Sequence, residues 1–586
     1  VTSINTDGKI INRKFYLFLI PTIMSTIASS LSEFVDSIVV SRVLGTHAMT
    51  LINIGYPVML VFSMIYTMLG VGGSVLFGKN AGEQNMEKAG RIMSITLLSS
   101  VALGLFFSLL GLAFLNPLCR FLCPHDELII AFIPYMRYVL ISGILIIPLQ
   151  VIIYFLSAMG KPGFGMTLNV VTNVLNLVID YIFIRYVGTG LKGASLATII
   201  GYLVGILMVL FAVVFGQVRF PFKPVSLKDF KGIGSVSTRG MAPAMSQFGY
   251  CVKISFCNSI SLSLAGIIGA SVFSLCMQAV SIASIFIAGI VGAMMPIASS
   301  LQGQRDFGSV RELLKTVMKV QFIANIVIVA FLELCPDLVM ALYNVHVSYR
   351  DAMASGLRIF SMMFLFRGFI LVFMYYFQVS NRKMYATIIS IIDGFAGIIP
   401  IALILTSFMG ITGLWLTFPV LAILMLASIV VINLSIVRKN PGRFQGIMLI
   451  EKEADNIPVY EASVELENQA IAENSQSLQA FCEKHLSDET LSVLVAVAAE
   501  EMSVYSMNMK KETSLDELDI LVKIYPEEVL MDFRSMGKPF DISTASTRNC
   551  SNAFMLKKIA SSVEYVYIVG MNQTRIRIRR NQENLS

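Results

Sequence analysis

The stretch TLNVVTNVLNLVIDYIFIRYV, residues 167–187, decides how this chain is read. It is apolar enough and long enough to cross a membrane. Yet Asn169, Asn173, Asn176 and Asp180 recur at 0, +4, +7 and +11, which places all four on one helical face. In lipid a carboxylate costs at least about 2.5–3.5 kcal/mol at the bilayer centre, so the stripe must face a bundle interior or a watery cavity. The amides also suit bonds between neighbouring helices. Asp180 adds nothing to such bonds that an Asn would not give, which points to a transport role.

Composition agrees with a membrane protein. The 586 residues are 56% hydrophobic and 14% charged, with mean hydropathy +0.75, which excludes a large soluble core. Residues 1–450 hold 30 Lys and Arg against 15 Asp and Glu, and residues 451–586 hold 14 against 22, so +15 and −8 make the net +7. A basic-flanked membrane domain is therefore followed by an acidic soluble one. The first apolar run, 15–43, is too long for a cleavable signal and carries Glu33 and Asp36, so a spanning helix is expected rather than a leader. The eight Cys form no CxxC pair and have no His at metal spacing, so no metal site is expected. Cys119 and Cys123 read as packed helix residues rather than a disulfide.

Twelve segments have spanning length: 14–41, 48–78, 91–115, 129–158, 163–187, 192–216, 236–262, 266–300, 314–335, 350–378, 384–407 and 411–437. Basic residues gather before span 1 (Lys9, Arg13, Lys14) and after spans 2, 6, 8 and 12 (among them Lys79, Arg219, Arg305 and Arg438). The positive-inside rule then puts both ends of the membrane domain in the cytoplasm.

The halves repeat. Pro21 and Pro243 are 222 apart, Gly82 and Gly303 are 221 apart, as are Arg137 and Arg358, and Gly190-Leu-Lys-Gly193 matches Gly410-Ile-Thr-Gly413 at 220. Each repeat holds six spans, an even number, so both have the same orientation about an axis along the membrane normal. The expected fold is an all-α polytopic membrane domain of twelve helices in two six-helix pseudo-twofold-related lobes, plus a small α+β cytoplasmic C-terminal domain. The divisions are 1–235 for the N-lobe with its lobe linker, 236–440 for the C-lobe, 441–456 for a linker and 457–586 for the tail. Pro21 and Pro243 predict kinks or local unwinding.

Span 1 has a polar face of its own. Ser25, Ser29, Glu33 and Asp36 sit at 0, +4, +8 and +11. Asp36 and Asp180 both fall in the outer halves of outward-running spans, which suggests one shared cation site. Their repeat mates are Asn258 and a position near residues 400–401, so the C-lobe lacks these acids, as a single coupling site would. Asn169, Asn173 and Ser29 support the face. Two oddities lie in the C-lobe: Lys253 in span 7 and Asp393 in span 11 need partners in lipid, and the repeat brings them to nearly one level, so an ion pair is expected. Arg137 and Arg358 read as snorkelling residues, Glu333 as interfacial, and Trp415 as an interfacial anchor.

The stretches VDSIVVSRVLG (35–45), GVGGSVLFGKNAGEQNMEKA (70–89), NLVIDYIFI (176–184), GLKGASLAT (190–198) and PIASSLQGQRDFGSV (296–310) resemble the multidrug and toxic compound extrusion (MATE) family, over about residues 10–440. The resemblance implies that Asp36, Asn176 and Asp180 take part in cation coupling; Glu33, which the polar face of span 1 adds to the expected site, is not a position of the family pattern, and neither are Lys253 and Asp393. It implies export of amphipathic small molecules by a monomer, driven by H⁺ or Na⁺ rather than by a bound cofactor. It also implies a multi-pass protein of the cell membrane that contacts lipid and no nucleic acid. A lipid or lipid-linked-sugar flippase of the same superfamily is the nearest alternative. The tail, over about 460–580, resembles the ATP-binding fold of anti-sigma-factor and histidine kinases. Glu501 stands in its Mg²⁺ box, but Tyr505 replaces the Asn, Ser535 replaces the adenine-reading Asp, and no Gly lies between Gly537 and Gly570 to cradle phosphate. A degenerate domain that regulates or docks a cytoplasmic protein is expected over the other alternative, a membrane-anchored serine kinase.

Overall fold

The computed structural model describes residues 9–44, 46–123, 126–337, 350–453, 457–509, 517–545 and 550–580; within these, the side chains of 9, 31–47, 49–50, 126–128, 267–268, 270–271, 275, 278–283 and 352 are not described. The membrane domain is helical throughout: α1 (Lys9–Leu44), α2 (Thr46–Gly82), α3 (Met86–Ala113), α4 (Leu115–Leu122), α5 (Asp126–Ala158), α6 (Pro162–Ile182, continued by a π turn Phe183–Val187), α7 (Leu191–Val214), α8 (Ile233–Gln304), α9 (Phe307–Leu334), α10 (Arg350–Ser361), α11 (Phe364–Val379), α12 (Lys383–Ile391, continued by a π turn Ile392–Ala396) and α13 (Ile398–Lys439). Among the described residues nine helices are long and apolar enough to cross a membrane, ten if the bent pair Met353–Ser361 and Phe364–Val379, at 44°, is one span. One of the nine, Glu489–Asn508, belongs to the C-terminal domain.

Single glycines divide the longest helices. α8 breaks at Ala265 and Gly266 (φ 60°, ψ −152°) and α13 at Gly410 (φ 58°, ψ −135°). Side chains do not reach that backbone region, so glycine fixes where the chain reverses. The sequence boundaries at 262–266 and 407–411 fall on these breaks. At Pro21 and Pro243 the local unwinding alternative is not seen: α1 and α8 keep helical backbone through both.

The backbone itself repeats. Gly190 has the same conformation as Gly410, 220 residues on (φ 63°, ψ −151°). Gln84 and Arg305, 221 apart, are both left-handed (φ 63° and 54°), and so are Gly160 and Asn381 (φ 86° and 55°). After the first pair, Asn85 and Asp306 each cap the next helix, accepting from Lys88 N and Ser309 N. These turns of the two halves are thus built alike.

The C-terminal domain has a five-stranded antiparallel sheet. Its strands are β3 (Val459–Glu465), β4 (Glu517–Ile524), β5 (Glu528–Met536), β6 (Ser562–Ile568) and β7 (Met571–Arg579), in the order β3-β4-β5-β7-β6; a short hairpin of β1 (Phe444–Gln445) and β2 (Ile450–Glu451) precedes it. Helices α14 (Asn468–His485), α15 (Glu489–Asn508) and α16 (Ser551–Ile559) share its core, where Leu478, Val495, Ile520, Phe533 and Ile576 are buried. Val566, Ile568, Val569 and Met571 point elsewhere, into the core of the membrane domain.

Candidate functional site

The polar face of α6 turns toward α1. Asn169 Nδ2 donates to Ser25 Oγ at 2.6 Å, and Ser29 Oγ continues that face of α1 by donating to the Ser25 carbonyl at 3.2 Å. Asn173 Nδ2 bonds back to the Asn169 carbonyl at 2.8 Å, and Asn176 Nδ2 reaches Thr198 Oγ1 of α7 at 3.2 Å. Asp180 ends the stripe and is fully buried. Glu33 and Asp36 lie on α1, but their side chains lie outside the described residues. The amides therefore do join helices, and Asp180 sits at the end of a stripe of neutral side chains.

The C-lobe holds a different arrangement. Lys253 Nζ of α8 lies 3.8 Å from Asp393 Oδ2, in the π turn after α12. Arg367 of α11, which the sequence reading did not pair with anything, lies closer: its Nη2 is 3.1 Å from the same oxygen. Lys253 is 2% exposed. Gly249 and Gly394 meet backbone to backbone beside the cluster, where an added Cβ would collide, and this close approach lets α8 and the π turn bring the charges together. Local spacing could not show Arg367, since its own helix offers it no carboxylate.

Other residues resolve plainly. Arg137 and Arg358 are exposed on the helix surface. Glu333 accepts a 2.6 Å bond from Ser361 Oγ. Cys119 and Cys123 are buried free thiols. Trp415 corrects the sequence reading: it is 6% exposed and packs against Gly356, inside the bundle rather than at a lipid interface. In the tail, Tyr505 stacks near Phe540 at 5.8 Å, and Asn552 Nδ2 binds Glu501 Oε2 at 2.6 Å, so aromatic and amide groups occupy the surroundings of the degenerate Mg²⁺ box.

Between the lobes, glycines make a close seam. Gly78 and Gly82 of α2 lie on Ser299, Ser300 and Gly303 of α8, and Gly240 lies on the Met68 carbonyl, so closely that a Cβ would overlap in each case. Thr22 Oγ1 also donates to the Gly289 carbonyl at 2.9 Å, and Thr316 Oγ1 to Asn12 Oδ1 at 2.6 Å. Tyr154 of α5 lies against Gly70 of α2, where an added Cβ would overlap its ring. A polar cavity of about 620 Å³ is lined by Lys79, Glu83, Lys88, Arg91, Asp229 and Arg239 among others, and by none of the residues of the two acid sites.

Comparison with known proteins gives the same picture. The MatE family model matches residues 21–182. The multidrug export protein MepA of Staphylococcus haemolyticus is 22% identical over 421 residues, covering 68% of this chain and 87% of MepA, and that of Staphylococcus aureus is 21% identical over 412 residues, with the same coverage. A MOP-superfamily transporter from Pyrococcus furiosus, described as having a binding pocket of reverse polarity, superposes with TM-score 0.66 at 21% identity over 73% of this chain and 97% of its own. An outward-facing multidrug-resistance MATE transporter gives 0.67 at 21%, over 73% and 96%. The membrane domain thus has the fold of these MATE transporters.

Proposed function

We propose that this MATE-type protein is a cation-coupled antiporter that exports amphipathic small molecules by alternating access. The observation that carries the reading is Asp180: fully buried, on the face of α6 whose Asn169 binds α1, the helix that bears Glu33 and Asp36. A carboxylate at the end of a neutral polar stripe can take up H⁺ or Na⁺ and give it back. One cation entering down about 100 mV supplies about 2.3 kcal/mol, and a coupling free energy between cation and substrate sites turns that into export. In this reading Asp36, Glu33, Asn176 and Asp180 form the coupling site, no other cofactor is needed, and the substrate occupies the interlobe cleft beside Tyr66, Tyr154 and Tyr375. The substrate class follows the multidrug export relatives.

The same reading takes the membrane domain as twelve spans in two lobes, residues 1–235 and 236–440. The apolar helices supply ten once the Gly410 break and the bent pair are counted, and α1 and the first half of α8 supply two. The protein is placed in the cell membrane as a monomer, with the N-terminus, the 441–456 linker and the 457–586 domain in the cytoplasm. The flippase alternative wants free basic residues in the cleft to meet phosphate, and Lys253 and Arg367 are both engaged by Asp393. The kinase alternative meets the altered nucleotide boxes at Tyr505 and Ser535. Drug efflux from proteoliposomes under an imposed pH gradient, compared with an imposed Na⁺ gradient, tests the reading: one gradient should drive export, and export under neither would overturn it.

A further inference from the structure

We propose that the C-terminal domain is a latch on the cytoplasmic gate: its sheet is docked across both lobes, and the lobes part on the cytoplasmic side only when it lets go. This rests on the alternating-access reading above.

The N-lobe is held by the β6–β7 hairpin. Its two-residue turn, Val569 and Gly570, is left-handed at both positions (φ 55° and 66°). Glycine is at ease there, but a β-branched valine is a genuine outlier. Val569 is nonetheless fully buried, in the core of the membrane domain. A strained turn of this kind persists when its surroundings hold it. The tip meets the N-lobe turn at Gly160 backbone to backbone, with no room for a Cβ on Gly160. Lys14 Nζ of α1 donates to the Gly570 carbonyl at 3.0 Å, within the interface.

The C-lobe is held by the middle and far edge of the same sheet. Arg534 of β5 pairs with Asp306 at 2.6 Å, both almost wholly buried, and Arg534 Nη2 donates to Ser309 Oγ at 2.9 Å. Lys523 of β4 donates to the Arg305 carbonyl at 2.7 Å, and Glu461 of β3 covers Gly308. Between the two sets Gln573 of β7 spans the seam itself. Its Nε2 donates to Ser300 Oγ at 3.2 Å, while its carbonyl accepts from Gln84 Nε2 at 3.5 Å.

The contacts fall on the turns that the two repeats build alike: Gln84 and Gly160 in one lobe, Arg305 in the other. β7 and β5 are hydrogen-bonded neighbours, so the sheet cannot stretch when the lobes separate. Opening the glycine seam must break one set of contacts, and the buried Arg534–Asp306 pair resists being split. A tethered passenger would need none of these bonds.

The test uses the full-length protein in lipid nanodiscs, with the exposed Cys335 replaced by Ser. Spin labels at Lys88 and Met384 report the gate, and a label pair at Thr544 and Lys88 reports docking. Arg534→Glu should move the tail away and raise the cytoplasm-open population by about fivefold or more, the low end of ordinary coupling between two sites. Arg534→Glu with Asp306→Arg should restore both distances. In a second arm, Cys residues placed by Arg534→Cys and Ser309→Cys are joined with a bifunctional reagent, which should abolish transport. An undocked tail with an unchanged gate distance, or normal turnover with the tail covalently fixed, overturns the latch. Lobes that stay fixed in every variant and under either ion gradient overturn alternating access, and the latch with it.

Discussion

Two carboxylates on related scaffolds, one fully buried and one partly exposed, have different surroundings. Asp180 ends a stripe of Asn, Ser and Thr side chains in the N-lobe and is fully buried. Asp393, in the C-lobe, lies 3.1 Å from Arg367 and 3.8 Å from Lys253. In the proposed reading the first is the group that an arriving cation meets. The second is matched twice over, and a further cation would meet net positive charge. The repeat therefore does not make the lobes equivalent: it supplies two copies of a scaffold, of which one carries a polar stripe ending in Asp180 and the other a charge cluster around Asp393.

The largest effect should come from Asp180→Asn. It keeps the shape and removes the charge, so cation-driven efflux should fall to background. Monodisperse behaviour and thermal stability should be unchanged or raised, since a buried carboxylate is replaced by a neutral group. Normal pumping by the variant would make the two carboxylates alike after all, both structural.

The cluster in the C-lobe should respond in stability instead. Asp393→Ala strands Lys253 and Arg367 and should cost about 3–5 kcal/mol, read as a large drop in the unfolding midpoint in detergent. Lys253→Met should be mild, because Asp393 keeps Arg367 at the shorter distance. Equal losses from the two variants would show that Lys253, not Arg367, is the principal partner.

How much of this was legible in the sequence depends on how local the signal was. The Asn169–Asp180 stripe and the strands of the tail have a period and could be read. Gly190 and Gly410 carry the repeat because only glycine takes their backbone conformation. Arg367 could not be placed, since its partner is 26 residues away on another helix. Trp415 was misread because burial in a bundle and anchoring at an interface ask for the same residue type. The docking of the tail was not legible at all: Arg534, Lys523 and Gln573 look like ordinary alternating strand residues until the turns they meet are known. Asp36 and Glu33 lie outside the side chains described, so their part in the site rests on spacing.

A third carboxylate gives the comparison a pH axis. Burial first, then the nearby Asp306 carboxylate, push Glu461 up from 4.5 to about 7 where the tail meets the C-lobe. Arg534 and Lys523 face it from β5 and β4 and oppose the rise, while Asp519 adds to it. Asp306 itself is pushed up by burial but held below the usual carboxylate range by Arg534 and Ser309. The docked state therefore favours protonated Glu461. Docking should be strongest near pH 4.5, weaken as pH rises to about 7 and stay flat above, and weaken again in stronger acid as Asp306 takes up its proton. The Thr544–Lys88 distance measured across that range should show it, and Glu461→Gln should flatten the profile. A profile unchanged in the variant would place the titrating group elsewhere.

The smallest effect separates Asp180 from the amides beside it. Asn169 Nδ2 joins α6 to α1 through Ser25 Oγ at 2.6 Å. Interhelical bonds of this kind in membranes average about 0.6 kcal/mol, because the separated helices find other partners. Asn169→Ala should therefore lower stability by about that much and leave the ion dependence of efflux intact. Ser25→Ala should do the same, and the double variant should cost little more than either alone, since both remove one bond. If Asn169→Ala instead changes the apparent affinity for the driving ion, the amide is part of the coupling site. The stripe would then act as one unit from Asn169 to Asp180, and the contrast with the fixed C-lobe cluster would extend along the whole face of the helix.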